Sequence, residues 1–226
     1  KAIGVPLVNI ATKVMLGRSL DDLLAERGLT DAPWPTHVST KESVFPFIKF
    51  PGVDVILGPE MRSTGEVMGI DATYGVSFAK SQMSALAPLP TEGTIYISVN
   101  DADKPAIVPV ARQLETLGFH IISTKGTHDV LTAAGIPCRL IPRISENKHP
   151  NMIDLIEAGT VQLLINTPSS KGRFTDEGKI RAAACLHNVP LLTTWAAARA
   201  ATSAIAALRE SGWDVKAIQD YVARKP

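Results

Sequence analysis

From Thr94 to the end of the chain, short runs of β-branched and aliphatic residues alternate with longer stretches of helical periodicity, and glycines stand at the joints. No other feature constrains the fold as strongly. A helix placed between two strands carries the chain back, so that consecutive strands run the same way. The pattern predicts strands at 94–99, 120–123, 139–141, 161–165 and 191–192. It predicts helices at 104–117, 127–134, 152–158, 176–187 and 196–208, with a last short helix through Tyr221. Pro105 falls in a first helical turn, where its missing N–H is tolerated, and Pro109 is expected to bend the start of that helix. The expectation is an α/β domain whose mostly parallel sheet is covered on both faces and joined by right-handed crossovers.

In such a sheet ligands bind beyond the carboxyl ends of the strands. The residues at those ends are Asn100, Asp101, Asp103 and Lys104; Thr124-Lys125-Gly126-Thr127; Pro142 and Arg143; Asn166-Thr167-Pro168 with the Ser, Lys and Arg residues after it; and Thr193-Thr194. Hydroxyls, amides, glycine and cations recur at one edge, which is the donor set that a phosphate needs. Thr124 and Thr127 donate through hydroxyls, and Gly126 lets backbone N–H groups converge at a helix N-terminus. Lys104 and Arg143 neutralise charge, and Asn166 both donates and accepts. Taken singly, the threonines also read as helix caps, Asp103 as the cap of the helix at 104, and the basic groups as solvated. Acids are sparse here, and the first one after Asn166 is Asp176. The reading is therefore of binding without catalysis, with no catalytic residue assigned.

The first third is patterned differently. Residues 1–30 place Leu7, Val8, Ile10, Val14, Met15, Leu20, Leu23 and Leu24 at spacings that suit one or two helices ending near Gly28. Residues 43–50 read as an edge strand because of Pro46. The run Leu57-Gly58-Pro59-Glu60-Met61-Arg62-Ser63-Thr64-Gly65-Glu66-Val67-Met68-Gly69 mixes carboxylates, an arginine, hydroxyls and glycines, and reads as a loop. A helix capped by Asp71 is expected to follow to residue 85. Pro88 and Pro90 then mark a linker, with the division placed between 1–87 and 88–226.

Composition narrows the function classes. A formal net charge of +1 and 5% aromatic residues argue against a nucleic-acid partner. No apolar run reaches the length of a membrane span. Cys138 and Cys185 are far apart and read as free thiols in a reducing, cytoplasmic setting. No metal-ligand spacing occurs, and the five histidines are scattered. The first residue is Lys1, not Met, and the chain opens into an apolar segment, so it is expected to be a piece of a longer protein without a signal peptide.

The run from Leu57 to Gly69, together with Pro46-Phe47-Ile48-Lys49-Phe50-Pro51-Gly52-Val53-Asp54 before it, resembles the end of the second ATP-grasp unit of the carbamoyl-phosphate synthetase large subunit. The rest resembles the methylglyoxal-synthase-like domain that closes that subunit, so the resemblance covers essentially the whole chain. It implies a Rossmann-like, five-stranded parallel sheet flanked by helices, preceded by an α+β remnant of the ATP-grasp unit. The complete enzyme of that family makes carbamoyl phosphate from bicarbonate, ATP and glutamine-derived ammonia, for pyrimidine and arginine biosynthesis. The resemblance implies ATP and Mg²⁺ or Mn²⁺ in the complete enzyme, and no cofactor in this piece. It implies the rest of the large subunit and a small glutamine amidotransferase subunit as partners, and leaves a homo-oligomer open. The piece alone is expected to be catalytically inactive.

Bacterial members of the family bind UMP, and IMP at an overlapping site. Their phosphate-site pattern is similar to Lys104, Thr124 and Thr127 here, with Arg143 in place of a lysine, Asn166 as the asparagine, and Thr167 beside it. Pro168 departs from the pattern by removing a second threonine. For ornithine, the resemblance implies Glu66 as the carboxylate that meets the amine and Thr193 as a coupling residue, while Leu191 replaces a tyrosine. Two other readings stay open: a free-standing methylglyoxal synthase, and a bare protein–protein module.

Overall fold

The computed structural model describes residues 1–30, 35–44, 65–168 and 175–221. Five strands, β3 (Thr94–Ser98), β4 (His120–Ser123), β5 (Arg139–Leu140), β6 (Leu163–Asn166) and β7 (Leu191–Leu192), form one sheet in the order β5-β4-β3-β6-β7. All four pairings are parallel. The order reverses at β3: the chain adds β4 and β5 on one side, then crosses to add β6 and β7 on the other. That switch point opens a crevice beyond the ends of the central strands.

Side chains alternate across the sheet with the period of a strand. Ile95, Ile97, Ile121, Leu163, Ile165 and Leu192 face α4 (Lys104–Thr116), α5 (Lys125–Ala133) and α8 (Trp195–Ser211) in one buried cluster. Tyr96, Ile122 and Leu164 face α6 (Met152–Glu157) and α7 (Asp176–Leu186) in the other. Each fully buried aliphatic side chain contributes about 1.5–3 kcal/mol, which is why the strands read so clearly from their hydropathy.

The amino-terminal part holds α1 (Leu7–Met15), α2 (Leu20–Ala25), an antiparallel pair β1 (Val38–Val44) and β2 (Gly65–Asp71), and α3 (Tyr74–Ser84). Helix α3 packs on this hairpin on one side and on α8 on the other. Ala79 and Leu89 share the buried cluster of the sheet, so apolar packing runs continuously through the proline-marked segment.

Several local expectations are corrected. Residues 65–71 are strand, not loop: Gly69 has no Cβ, and one placed there would stand 1.9 Å from the Ser77 carbonyl oxygen of α3. The expected loop at 57–64 and most of the expected strand at 43–50 lie outside the described residues. Asp71 does not cap α3. The Thr73 hydroxyl accepts from the Val76 N–H, while Asp71 ends β2 and pairs with Lys80 at 2.6 Å. Asp103 likewise makes no side-chain cap; Asn100 accepts from the Asp103 N–H at 3.0 Å and donates to its carboxylate at 2.7 Å. Helix α5 begins two residues earlier than expected, which makes Thr124 its N-cap residue and puts Thr127 inside the first turn.

Candidate anion site

A cavity of about 360 Å³ opens at the carboxyl ends of β3, β4 and β5. Its floor is Tyr96, Ser98 and Val99 of β3 and the turn after it. Around it stand Lys104 at the start of α4, Thr124, Gly126 and Thr127 at the start of α5, Pro142 to Ser145, and the first turn of α7 with Thr175, Asp176 and Glu177. Helices α4, α5 and α7 thus all begin at this cavity, and the positive ends of their dipoles lie at it.

The interior hydroxyls are anchored to the strands. Thr127 is buried, and its oxygen accepts from the Val99 N–H at 3.1 Å. The Thr124 hydroxyl makes no cap bond and lies 3.4 Å from the Ser98 hydroxyl. Burial pushes the Tyr96 phenol above its usual range, against the hydrogen bonds to Ser98 and Thr124, so it stays protonated and able to donate. A Cβ built on Gly126 would stand 3.4 Å from the Lys104 ammonium, so the glycine leaves that nitrogen close to the α5 backbone.

Charges of both signs line the cavity. Lys104 pairs with the exposed Asp101 at 2.6 Å, which holds the Asp101 carboxyl below its ordinary range. The Arg143 guanidinium has no ion-pair partner among the described residues. The Asp176 carboxylate accepts from the Ser145 N–H at 3.0 Å, which ties α7 to the segment that carries Arg143, and Glu177 lies 3.9 Å from Arg181. Net side-chain charge therefore does not make the cavity anionophilic. Helix N-termini and hydroxyl donors do.

Four of the sequence-derived candidates, Lys104, Thr124, Thr127 and Arg143, line this one cavity. Asn166 and Thr167 lie just behind it and are fully buried. Asn166 donates to the Ser98 carbonyl at 3.1 Å and accepts from Arg181 at 3.0 Å. The Thr167 hydroxyl oxygen accepts from the Asn100 backbone and side-chain N–H groups at 3.0 and 3.2 Å, which fixes the turn that carries Asp101 and Lys104. Glu66 and Thr193 stand on different sheets. Glu66 belongs to β2 and pairs with Lys41 at 2.7 Å, and Thr193 follows β7 just before the α8 cap.

Reading only strand ends missed Tyr96, the acids of α7 and Arg181. Arg181 was detectable: it sits four residues after Glu177 and follows Ile180 on the apolar face of a predicted helix, where an arginine needs an internal partner.

A larger groove, about 730 Å³, lies at the opposite edge of the sheet, lined by Glu115, Phe119, His120, Cys138 and Arg139 among others. There α4 and α5 end rather than begin. A helix C-terminus carries a negative partial charge, and here the last carbonyls already accept from Arg112 and Arg209. Burial pushes the Cys138 thiol up to about 11, so it is no nucleophile at neutral pH. Among the described residues no group of three or more His, Cys, Asp or Glu side chains could hold a metal ion, and no helix is long and apolar enough to cross a membrane.

Residues 106–193 match the family model of the MGS-like domain, a span that holds β4 to β7 and most of the cavity wall. The chain is 49% identical to the carbamoyl phosphate synthase large chain of Rhodopirellula baltica over 99% of its own length and 20% of the relative's. The chain belongs to the carbamoyl phosphate synthase large-chain family. Its match to the large chain, C-terminal section, of Methanopyrus kandleri is 48% over 97% of the chain and 41% of that relative. For the corresponding section in Methanocaldococcus jannaschii the figures are 44%, 99% and 37%. The chain therefore spans between a fifth and two fifths of these relatives, and corresponds to the C-terminal region of the large chain.

Proposed function

We propose that this chain is the regulatory portion of a glutamine-dependent carbamoyl phosphate synthase large chain, and that its cavity takes the phosphate of a nucleoside monophosphate, UMP or IMP. The observation that carries the reading is the convergence of Lys104, Thr124, Gly126, Thr127 and Arg143 with three helix N-termini on one cavity. A phosphate dianion there receives backbone N–H groups, hydroxyl donors and two cations. The Asp176 and Glu177 wall suits the hydroxyl groups of a sugar, which donate to carboxylates.

In this reading residues 1–87 are the end of an ATP-grasp unit and 88–226 the sensor. The continuous apolar cluster through Ala79 and Leu89 supports rigid coupling between them. Occupancy of the cavity tunes carbamoyl phosphate synthesis, which serves pyrimidine and arginine biosynthesis. ATP, its divalent cation and the small glutamine amidotransferase subunit belong to the complete cytoplasmic enzyme, and this chain alone is inactive. Leu7, Val8, Met15 and Leu16 are exposed on and just after α1, which supports packing of that helix against the rest of the large chain. In this reading Glu66, which already accepts from the Lys41 ammonium, meets the amine of ornithine.

The test is calorimetric titration of the chain with UMP. Binding is expected in the unaltered protein, with its loss in Lys104→Glu. Equal affinity in the two proteins overturns the assigned site.

A further inference from the structure

We propose that Arg181 is a positioning residue of the anion site: it locks the Asn166 side chain with its oxygen inward, so that only the amide nitrogen faces the cavity wall. This inference rests on the reading of the cavity as a phosphate site. Arg181 and Asn166 are both wholly buried. The Arg181 Nη1 donates to the Asn166 Oδ1 at 3.0 Å, and the Asn166 Nδ2 donates to the Ser98 carbonyl at 3.1 Å.

A carboxamide can turn end for end at almost no change in shape, so its orientation is set by its partners. A guanidinium has five donors and no acceptor, and therefore accepts only one of the two orientations. The reverse orientation sets an amide N–H against Arg181 and an oxygen against the Ser98 carbonyl, and both contacts are repulsive. Ser98 lines the cavity, so the Asn166 amide stands one hydrogen bond behind the wall. Its second N–H has no acceptor among the described residues. Held this way, β6 ends in a donor; turned around, it ends in an oxygen that repels an anion.

The same side chain ties two walls together. Arg181 lies on α7, one turn beyond Glu177 at 3.9 Å, and α7 opens with the residues that line the cavity. Burying a guanidinium is unfavourable unless it is well paired. A neutral aliphatic residue fills such a place more cheaply, and what it lacks is the ability to donate.

The test combines calorimetry with inorganic phosphate and with UMP, and the Asn166 side-chain amide resonances during the phosphate titration. Those resonances are expected to shift in the unaltered protein. Arg181→Lys, still only a donor, is expected to keep phosphate affinity within about threefold, whereas Arg181→Gln, which presents either an oxygen or a nitrogen, loses about tenfold. In Asn166→Asp the carboxylate still pairs with Arg181 but sets an oxygen against the Ser98 carbonyl, so the thermal midpoint drops, and in the folded protein binding falls by more than about tenfold because a donor has become a negative charge. Equal losses in the lysine and glutamine variants, or unchanged binding in Asn166→Asp, overturn the inference while leaving the cavity reading in place. Absence of phosphate and UMP binding in the unaltered protein overturns the cavity reading and this inference with it.

Discussion

In the proposed site binding turns on Lys104, whose ammonium already has a partner. That partner, Asp101, has almost its whole side chain in water. Such pairs are weak and easily exchanged, so an incoming phosphate has to displace one carboxylate, and removing that carboxylate helps binding. Asp101→Asn is expected to tighten phosphate binding about threefold at low salt, with the gain shrinking as salt rises. Isothermal titration at two ionic strengths measures it, and weaker binding in the variant contradicts the role given to Asp101. That Lys104, Thr124, Thr127 and Arg143 gather at one cavity was legible in the sequence because strand ends can be found from hydropathy. The inward role of Asn166 was not legible, since its partner Arg181 comes from a helix fifteen residues away and pairing between elements is a tertiary fact.

At the scale of elements, α3 is squeezed between neighbours that leave no room for side chains. A Cβ on Gly75 would stand 2.9 Å from the Ala207 Cβ of α8, and one on Gly69 1.9 Å from the Ser77 carbonyl oxygen. Gly75→Ala is expected to cost about 1–3 kcal/mol through overpacking and Gly69→Ala more, because its obstacle is backbone. Urea denaturation reads both, and an unaltered midpoint for Gly69→Ala rejects the close packing. The hairpin and α3 are also held by Asp71 and Lys80. Burial alone would raise the Asp71 carboxyl, but the Lys80 ammonium and the Ala72 N–H outweigh it and hold it low. Burial alone would lower Lys80, but Asp71 outweighs it and holds the ammonium high. The pair's contribution is therefore present above the ordinary carboxylate range and fades as pH falls through the lowered Asp71 value. At the alkaline end it fades as pH rises through the raised Lys80 value. Asp71→Asn is expected to lose about 1 kcal/mol near neutrality and nothing once Asp71 is protonated. A loss independent of pH in denaturation midpoints argues against the pair. The wrong sequence reading here, Asp71 as a helix cap, has a plain cause: an acid just before a helical run reads as a cap, and only the strand pairing shows that β2 still includes it.

For the whole molecule, the parallel sheet followed from the alternation of strands and helices, and the five strands agree with expectation to within two residues at each end. Strand order did not follow, because the same alternation fits several windings, and the cavity owes its place to the reversal at β3. The chain spans a fifth of the Rhodopirellula baltica relative, and the function proposed for it is sensing and not synthesis. ATP formation from carbamoyl phosphate and ADP by this chain alone is expected to be absent, and a measurable rate in a coupled assay contradicts that. The central claim, that the carboxyl edge of the sheet and not the larger groove at its other edge is the ligand site, is open to one direct measurement. Backbone amide resonances followed during titration with UMP should shift for Asn100 to Lys104 and for Thr124 to Thr127, and stay still around Phe119 and Cys138. Shifts centred on Phe119 and Cys138, or none at the carboxyl edge at saturating UMP, would contradict the account.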